Sequence, residues 1–472
     1  MLTTALELAA DFRPILAAAM HGTDLASTLP LAAVLPFALM LLAIALLPLL
    51  ASHWWEHNRN KAAVVVVIAL PILLYLGVGL GTGGRQLLGA TMLEYVSFIT
   101  LLASLFVISG GVYLQGSFAG TPLANTAMLG IGAVLANLTG TTGASVLLIR
   151  PLLRANQRRE SKAHIVVFFI FVVANCGGLL TPLGDPPLFL GFLHGVPFEW
   201  TLRLWPQWLV ANLAVLAIFN LYDQKVFDAE EKRRPGSQLE EVMEHEPLRI
   251  RGRRNLLLLG GVVATIVASG RGLLNGGEPW PFGPKEVILA LLAVAAWVVT
   301  NPEYRARNNF TFAPIVEVAV LFAGIFVTMA PALAILNAWG AGQREVLGAA
   351  FTLSQPWQFF WATGSLSSVL DNAPTYLTFS ATAAGLDGIG AHGSYLARLI
   401  SAGPDAVARL AAISTGAVFM GSMTYIGNGP NFMVKAIAEE NGIRMPSFFG
   451  YMAYSVAVLI PVFVVVTVLF FR

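Results

Sequence analysis

Charge is what this chain has least of: of its 472 residues only 11% are Asp, Glu, Lys or Arg, while 56% are hydrophobic. A soluble globular chain carries roughly 25% charged residues, so a soluble protein is excluded. The net charge is +2 and the 28 Lys and Arg lie mostly in connecting segments, which leaves no basic footprint for nucleic acid. Cysteine is almost absent. The single Cys176 rules out an intramolecular disulfide framework and a Cys-rich metal site, and reads as a packed thiol. The seven histidines show no paired spacing on one helix, so zinc-type catalysis is not expected, nor is any enzyme activity or cofactor.

What is present is a succession of apolar runs about 20 residues long, each enough to cross a bilayer. Uninterrupted runs fall at 31–50, 62–80, 93–114, 201–222, 255–274, 285–300, 310–331 and 447–471. Runs broken by Gly, Pro or polar residues fall at 123–149, 164–194, 346–380 and 406–430. The positive-inside rule assigns sides. Arg59, Lys61, the cluster Arg150 to Lys162, the stretch Lys225 to Arg254, and Arg305 with Arg307 are expected in the cytoplasm. If 31–50 runs inward, 123–149 both starts and ends inside. It is therefore expected to be a re-entrant hairpin bent near Asn137-Leu138-Thr139-Gly140-Thr141-Thr142-Gly143. The same accounting makes 346–380 a hairpin from the outside, bent within Ser365 to Pro374.

The expected fold is an all-α polytopic membrane protein of two inverted-topology repeats, each with a hairpin and a broken transmembrane helix. Residues 31–222 form the first repeat and 255–471 the second. Equivalent segments start at 62 and 285, 93 and 310, 123 and 346, 164 and 406, and 201 and 447, offsets of 223, 217, 223, 242 and 246. Glu94 and Glu317, also 223 apart, occupy equivalent helices and read as helix-end residues or proton-pathway groups. Each half makes five true crossings, an odd number, so the halves oppose one another, the usual build of secondary transporters. Residues 223–254, with eight acidic and eight basic side chains around Pro235-Gly236-Ser237, read as a solvated cytoplasmic linker. Residues 1–30 read as a surface segment, because Asp11, Arg13 and Pro14 interrupt any signal-peptide core. Trp54, Trp55, Trp200, Trp205, Trp208 and Trp280 lie near span ends and read as interfacial anchors.

Two of the breaks are nearly the same text 243 residues apart: Thr181-Pro182-Leu183-Gly184-Asp185-Pro186-Pro187 and Thr424-Tyr425-Ile426-Gly427-Asn428-Gly429-Pro430-Asn431. Irregular backbone at membrane depth survives only where it is buried in protein or lines a cavity. Each break ends one short helix and starts another, exposing carbonyls and N–H groups that small polar side chains can supplement. The candidate ion- or substrate-binding residues are therefore Asn137, Thr139, Thr141, Thr142, Thr181, Gly184, Asp185, Ser367, Asp371, Asn372, Thr375, Thr424, Gly427, Asn428 and Asn431. Asp185, Asp371-Asn372 and Asn428 also resemble helix N-caps ahead of proline. Asp185 and Asp371 are the acidic residues of the four interrupted segments, which contain no Lys or Arg apart from Arg409. Intramembrane carboxylates are costly and read as functional. Na⁺ is expected at Asn137, Asp185, Asp371, Asn372 and Asn428, with Na⁺ and H⁺ competing for a carboxylate.

Leu370-Asp371-Asn372-Ala373-Pro374 and Gly140-Thr141-Thr142-Gly143-Ala144-Ser145, with the Thr-x-x-Gly-Asp/Asn pair, resemble the ion transporter superfamily. Within it the chain is most similar to NhaD-like sodium/proton antiporters and the related citrate transporters, over residues 31–471. The resemblance implies a homodimer in the bacterial inner membrane, with a scaffold at the interface and an elevator-like moving part within 123–222 and 346–471. Dicarboxylate carriers of this type have Ser-Asn-Thr at both hairpin tips, whereas here the nearest equivalents are Asn137-Leu138-Thr139 and Asp371-Asn372-Ala373-Pro374. Three readings stand: sodium/proton antiport, sodium- or proton-coupled citrate or carboxylate transport, and an intramembrane aspartyl protease using Asp185 and Asp371. The last lacks the usual Gly-x-Gly-Asp, since Pro182 stands two before Gly184.

Overall fold

The structure is a computed structural model that describes residues 29–116, 118–233 and 249–472. The surface segment expected over 1–30, apart from its last two residues, and Pro235-Gly236-Ser237 lie outside them. The first half contains α1 (Leu35–Leu50), α2 (Asn58–Leu74), α3 (Gly81–Ser109), α4 (Pro122–Ala155), α5 (Ala163–Val172), α6 (Pro186–Leu193) and α7 (Trp205–Arg233). The second contains α8 (Arg253–Gly270), α9 (Pro284–Val299), α10 (Ala313–Gly340), α11 (Pro356–Ser367), α12 (Asn372–Leu386), α13 (Pro404–Met420), α14 (Gly429–Glu440) and α15 (Phe448–Phe470). The protein is an all-α polytopic membrane protein. Eight helical stretches among the described residues are long and apolar enough to cross a membrane.

One of those eight does not cross. Gly140, at φ 76° and ψ 156°, reverses α4 in a conformation that only glycine adopts readily. Asn125 and Asn156 then exchange side-chain hydrogen bonds of 2.9 and 2.7 Å, although a straight helix would set them about 46 Å apart. Both ends of this hairpin therefore lie together, as the basic residues required. The second hairpin, α11 and α12, is tied at both ends to the far end of α10. Trp339 Nε1 donates to the Ala349 carbonyl before it, and Asn337 Nδ2 to Ala381 and Ile389 at its end, all at 2.8 Å. The first hairpin sits at the other end of that 28-residue helix, about 42 Å away along its axis. There Arg154 binds the Leu114 carbonyl at 2.8 Å, and Asn308, ahead of α10, binds Val112 at 2.7 Å. The two hairpins enter from opposite ends of the molecule.

Three expectations need correcting. The helix of the run expected over 93–114 begins earlier: residues 81–92 are the first turns of α3, despite the weak helix propensity of Gly81, Gly83 and Gly84. The expected linker begins as helix: α7 continues to Arg233, and β2 (Arg249–Arg251) pairs antiparallel with β1 (Tyr113–Gln115). Nor is its start solvated, for Asp223 and Glu230 are buried. Arg159 reaches both, at 2.8 and 2.9 Å, while His164 and Asn125 also bind Asp223. Finally, Trp208 is no interfacial anchor: its Nε1 donates to the Gly177 carbonyl at 2.8 Å, inside the first break.

Candidate functional site

Each broken helix stops in a short 3₁₀ turn, Cys176–Leu179 or Gly421–Met423, and restarts seven or six residues later in α6 or α14. The intervening strands of chain are held alike. Thr181 Oγ1 donates to the Asn137 carbonyl of the first hairpin and Thr424 Oγ1 to the Ser368 carbonyl of the second, both at 2.5 Å. A Cβ built on Gly184 would lie 2.2 Å from the Gly178 carbonyl oxygen, and one on Gly427 would lie 2.6 Å from that of Gly421. Both glycine pairs are 243 residues apart in sequence. The backbone doubles back on itself so closely that a side chain cannot fit.

This packing brings one residue from every interruption to one point. Asp185 begins α6 but makes no capping bond with its side chain. Its Oδ1 accepts from Thr141 Oγ1 at 3.0 Å and Asn428 Nδ2 at 3.3 Å, and its Oδ2 accepts from Asn372 Nδ2. Asp185 is 1% exposed. No cationic side chain pairs with it among the described residues. Asn372 is fully buried, and its carbonyl oxygen Oδ1 has no hydrogen-bond donor. A buried carboxylate beside an unsatisfied carbonyl oxygen is a hard-oxygen donor set of the kind that suits a dehydrated alkali cation.

The remaining expected residues divide by what already occupies their polar atoms. Asn137 is saturated by backbone: Oδ1 accepts Leu180 N at 2.8 Å, and Nδ2 donates to Gly177 and Ala133 at 2.7 and 2.9 Å. It braces the first break through its side-chain amide. Asp371 caps α12 through Ala373 N at 3.0 Å, using one carboxylate oxygen, and also lines the cavity described below. Thr375 binds the Asp371 carbonyl, and Ser367 the Ala417 carbonyl. Thr139 and Thr142 line the cavity described below. Asn431 bridges Gly421 and Thr424 carbonyls and accepts from Asn175 Nδ2 at 2.7 Å. Sequence reasoning passed over Asn175, which also accepts from Asn428 at 3.2 Å; its signal was a lone amide ending an apolar run.

A cavity of about 530 Å³ leads to this point. One wall is the first hairpin's tip and the two breaks; the other comes from α1, α2, α3 and α10. Its charged lining residues are Glu56, Asp185, Glu317 and Asp371 against Lys61 alone, and Lys61 Nζ is 2.7 Å from Glu317. The cavity is acidic.

Broken helices meeting around one buried carboxylate at the head of an acidic cavity define a membrane transporter. The chain belongs to the family described as "Putative citrate transport", which it matches over residues 26–471. It is also similar to an uncharacterized transporter of Synechocystis sp., 24% identical over 354 residues, covering 70% of this chain and 72% of that protein.

Proposed function

We propose that the protein is a sodium/proton antiporter of the elevator type, in which Na⁺ and a proton compete for Asp185. The observation that carries this reading is the donor set: Asp185 is held by three neutral donors, and one of them, the Asn372 amide, donates through Nδ2 while its own Oδ1 stays unsatisfied. Na⁺ entering there gains two oxygens and displaces the proton that neutralises the empty site. The acidic cavity lining raises the local concentration of cations and repels anions. The cavity lies on the side of Trp55, Glu56 and Lys61, which the basic residues assign to the cytoplasm. Moving the two hairpins with the broken helices against the wall of α2, α3 and α10 would carry Asp185 to the other side. A homodimer built on that wall, in the bacterial inner membrane, is part of the proposal and rests on family resemblance.

The family's description favours a second reading, in which a cation at Asp185 couples uptake of citrate or another carboxylate held in the cavity. Purified protein in proteoliposomes with an internal pH indicator separates the two. A sodium pulse alone moves protons in the first; in the second, current appears only when citrate accompanies sodium. The transporter family, not a protease, is what the comparisons support, which weighs against the protease reading.

A further inference from the structure

We propose that Glu94 and Glu317 are receiving carboxylates of two opposite vestibules, each taking the transported monovalent cation from one face before it reaches Asp185. The inference rests on the cation-transport reading above. The two glutamates are 223 residues apart, on α3 and α10. These helices cross at Phe98 and Phe322, whose rings stack at 4.7 Å. They run in opposite directions, since the residues just after α3 and just before α10 are adjacent: Asn308 Nδ2 donates to the Gly110 carbonyl. Glu94 stands one turn before Phe98 and Glu317 just over a turn before Phe322. They therefore lie on opposite sides of the crossing, about 13 Å apart along the helices.

Each half also places a buried lysine in the first turn of its second helix, Lys61 in α2 and Lys285 in α9, 224 residues apart. Lys61 pairs across the repeats with Glu317 at 2.7 Å, and both line the open cavity with Asp185. The symmetry-related pair would be Lys285 with Glu94, and it is not made. Lys285 instead holds Glu286 at 3.2 Å, and Glu286 accepts from Ser97 at 2.5 Å, one turn along from Glu94. Glu94 has His194 Nε2 at 3.8 Å, and the His194 carbonyl is bonded by Leu396 N at 3.1 Å. His194 follows α6, the helix that Asp185 begins. One crossed pair thus stands at the open approach, while on the closed side the continuation of the site's own helix lies against the equivalent glutamate.

The chemistry is exchange of cations at a carboxylate. An arriving cation takes Glu317 from the Lys61 ammonium, which re-forms its bond when the cation moves on. When the broken helices shift, His194 leaves with them and Glu94 is free for the same role on the other face.

The test is sided kinetics in right-side-out and inverted vesicles. Glu317→Gln is expected to raise the KM for Na⁺ about tenfold from the Lys61 face alone, and Glu94→Gln from the opposite face alone, with kcat within about twofold. Glu317→Asp, which keeps the charge, should recover most of the loss and guards against a variant that merely misfolds. Equal effects from both faces, or none, overturn the proposal. If the unmodified protein moves no protons in response to sodium, the antiport reading fails separately. The vestibules are then judged by labelling Glu94→Cys and Glu317→Cys with a membrane-impermeant maleimide; opposite faces are expected, and labelling from one face sinks the assignment.

Discussion

Asn428 donates to Asp185 at 3.3 Å although the two are the same position of two repeats, 243 residues apart. Equivalent residues can touch only where the repeats' pseudo-two-fold axis passes between them. The site therefore stands on that axis, and one of its two equivalent positions is ionisable. Asp185→Asn should abolish sodium-driven proton movement. The swapped pair Asp185→Asn with Asn428→Asp restores a carboxylate to the axis and should recover measurable exchange. In the unmodified protein the KM for Na⁺ should fall as pH rises, because fewer protons then compete for the carboxylate. A KM independent of pH would remove proton competition from the mechanism.

Thr141 and Asn372 touch the carboxylate, whereas Asn137 braces the backbone. Thr141→Ala and Asn372→Ala should each raise the KM for Na⁺ about tenfold, the worth of one hydrogen bond to a charged group. Thermal unfolding should barely move. Asn137→Ala should do the reverse, costing about 2–4 kcal/mol of stability through orphaned buried groups, with KM unchanged in whatever protein folds. Dye-based melting and transport on the same three samples check this.

Substituting alanine at the two doubled-back glycines should hurt in proportion to the clash. The Cβ of Gly184→Ala would meet a carbonyl oxygen at 2.2 Å, and that of Gly427→Ala one at 2.6 Å. Overpacking against backbone costs about 3 kcal/mol, so both should lower folded yield in detergent. Gly184→Ala should lose more.

Arg159 is the cation for two buried acids, Asp223 and Glu230. Arg159→Ala leaves both charges buried and should cost about 3–5 kcal/mol. The partial rescue by Asp223→Asn in the same chain, measured as melting temperature, distinguishes lost pairing from lost packing.

Much of the architecture was legible because charge placement is a strong constraint. Arg150 to Lys162 and Lys61 fix the ends of 123–149 on one side, and a segment with both ends on one side must turn back. The site's centre was legible because an acidic residue at a break in an apolar run has few explanations. What was lost depended on distant partners. Asp185 and Asp371 look alike in sequence, each ahead of proline, and only packing shows that one faces the opposite repeat while the other caps its own helix. Asn137 sits in the right motif, yet Gly177 and Leu180 take its amide. The Lys61–Glu317 pair joins residues 256 apart, each charged near a span end, where nothing local marks a partner.

The near-symmetry of the site has an electrical consequence. A single carboxylate on the axis can carry one Na⁺ in one direction and one proton in the other, so each complete cycle moves no net charge. Such a carrier takes its drive from the sodium and pH gradients alone. Clamping the membrane potential with potassium and valinomycin should leave its rate unchanged; a rate that follows the voltage would mean that a second charge, such as Asp371 in the cavity lining, travels with the load.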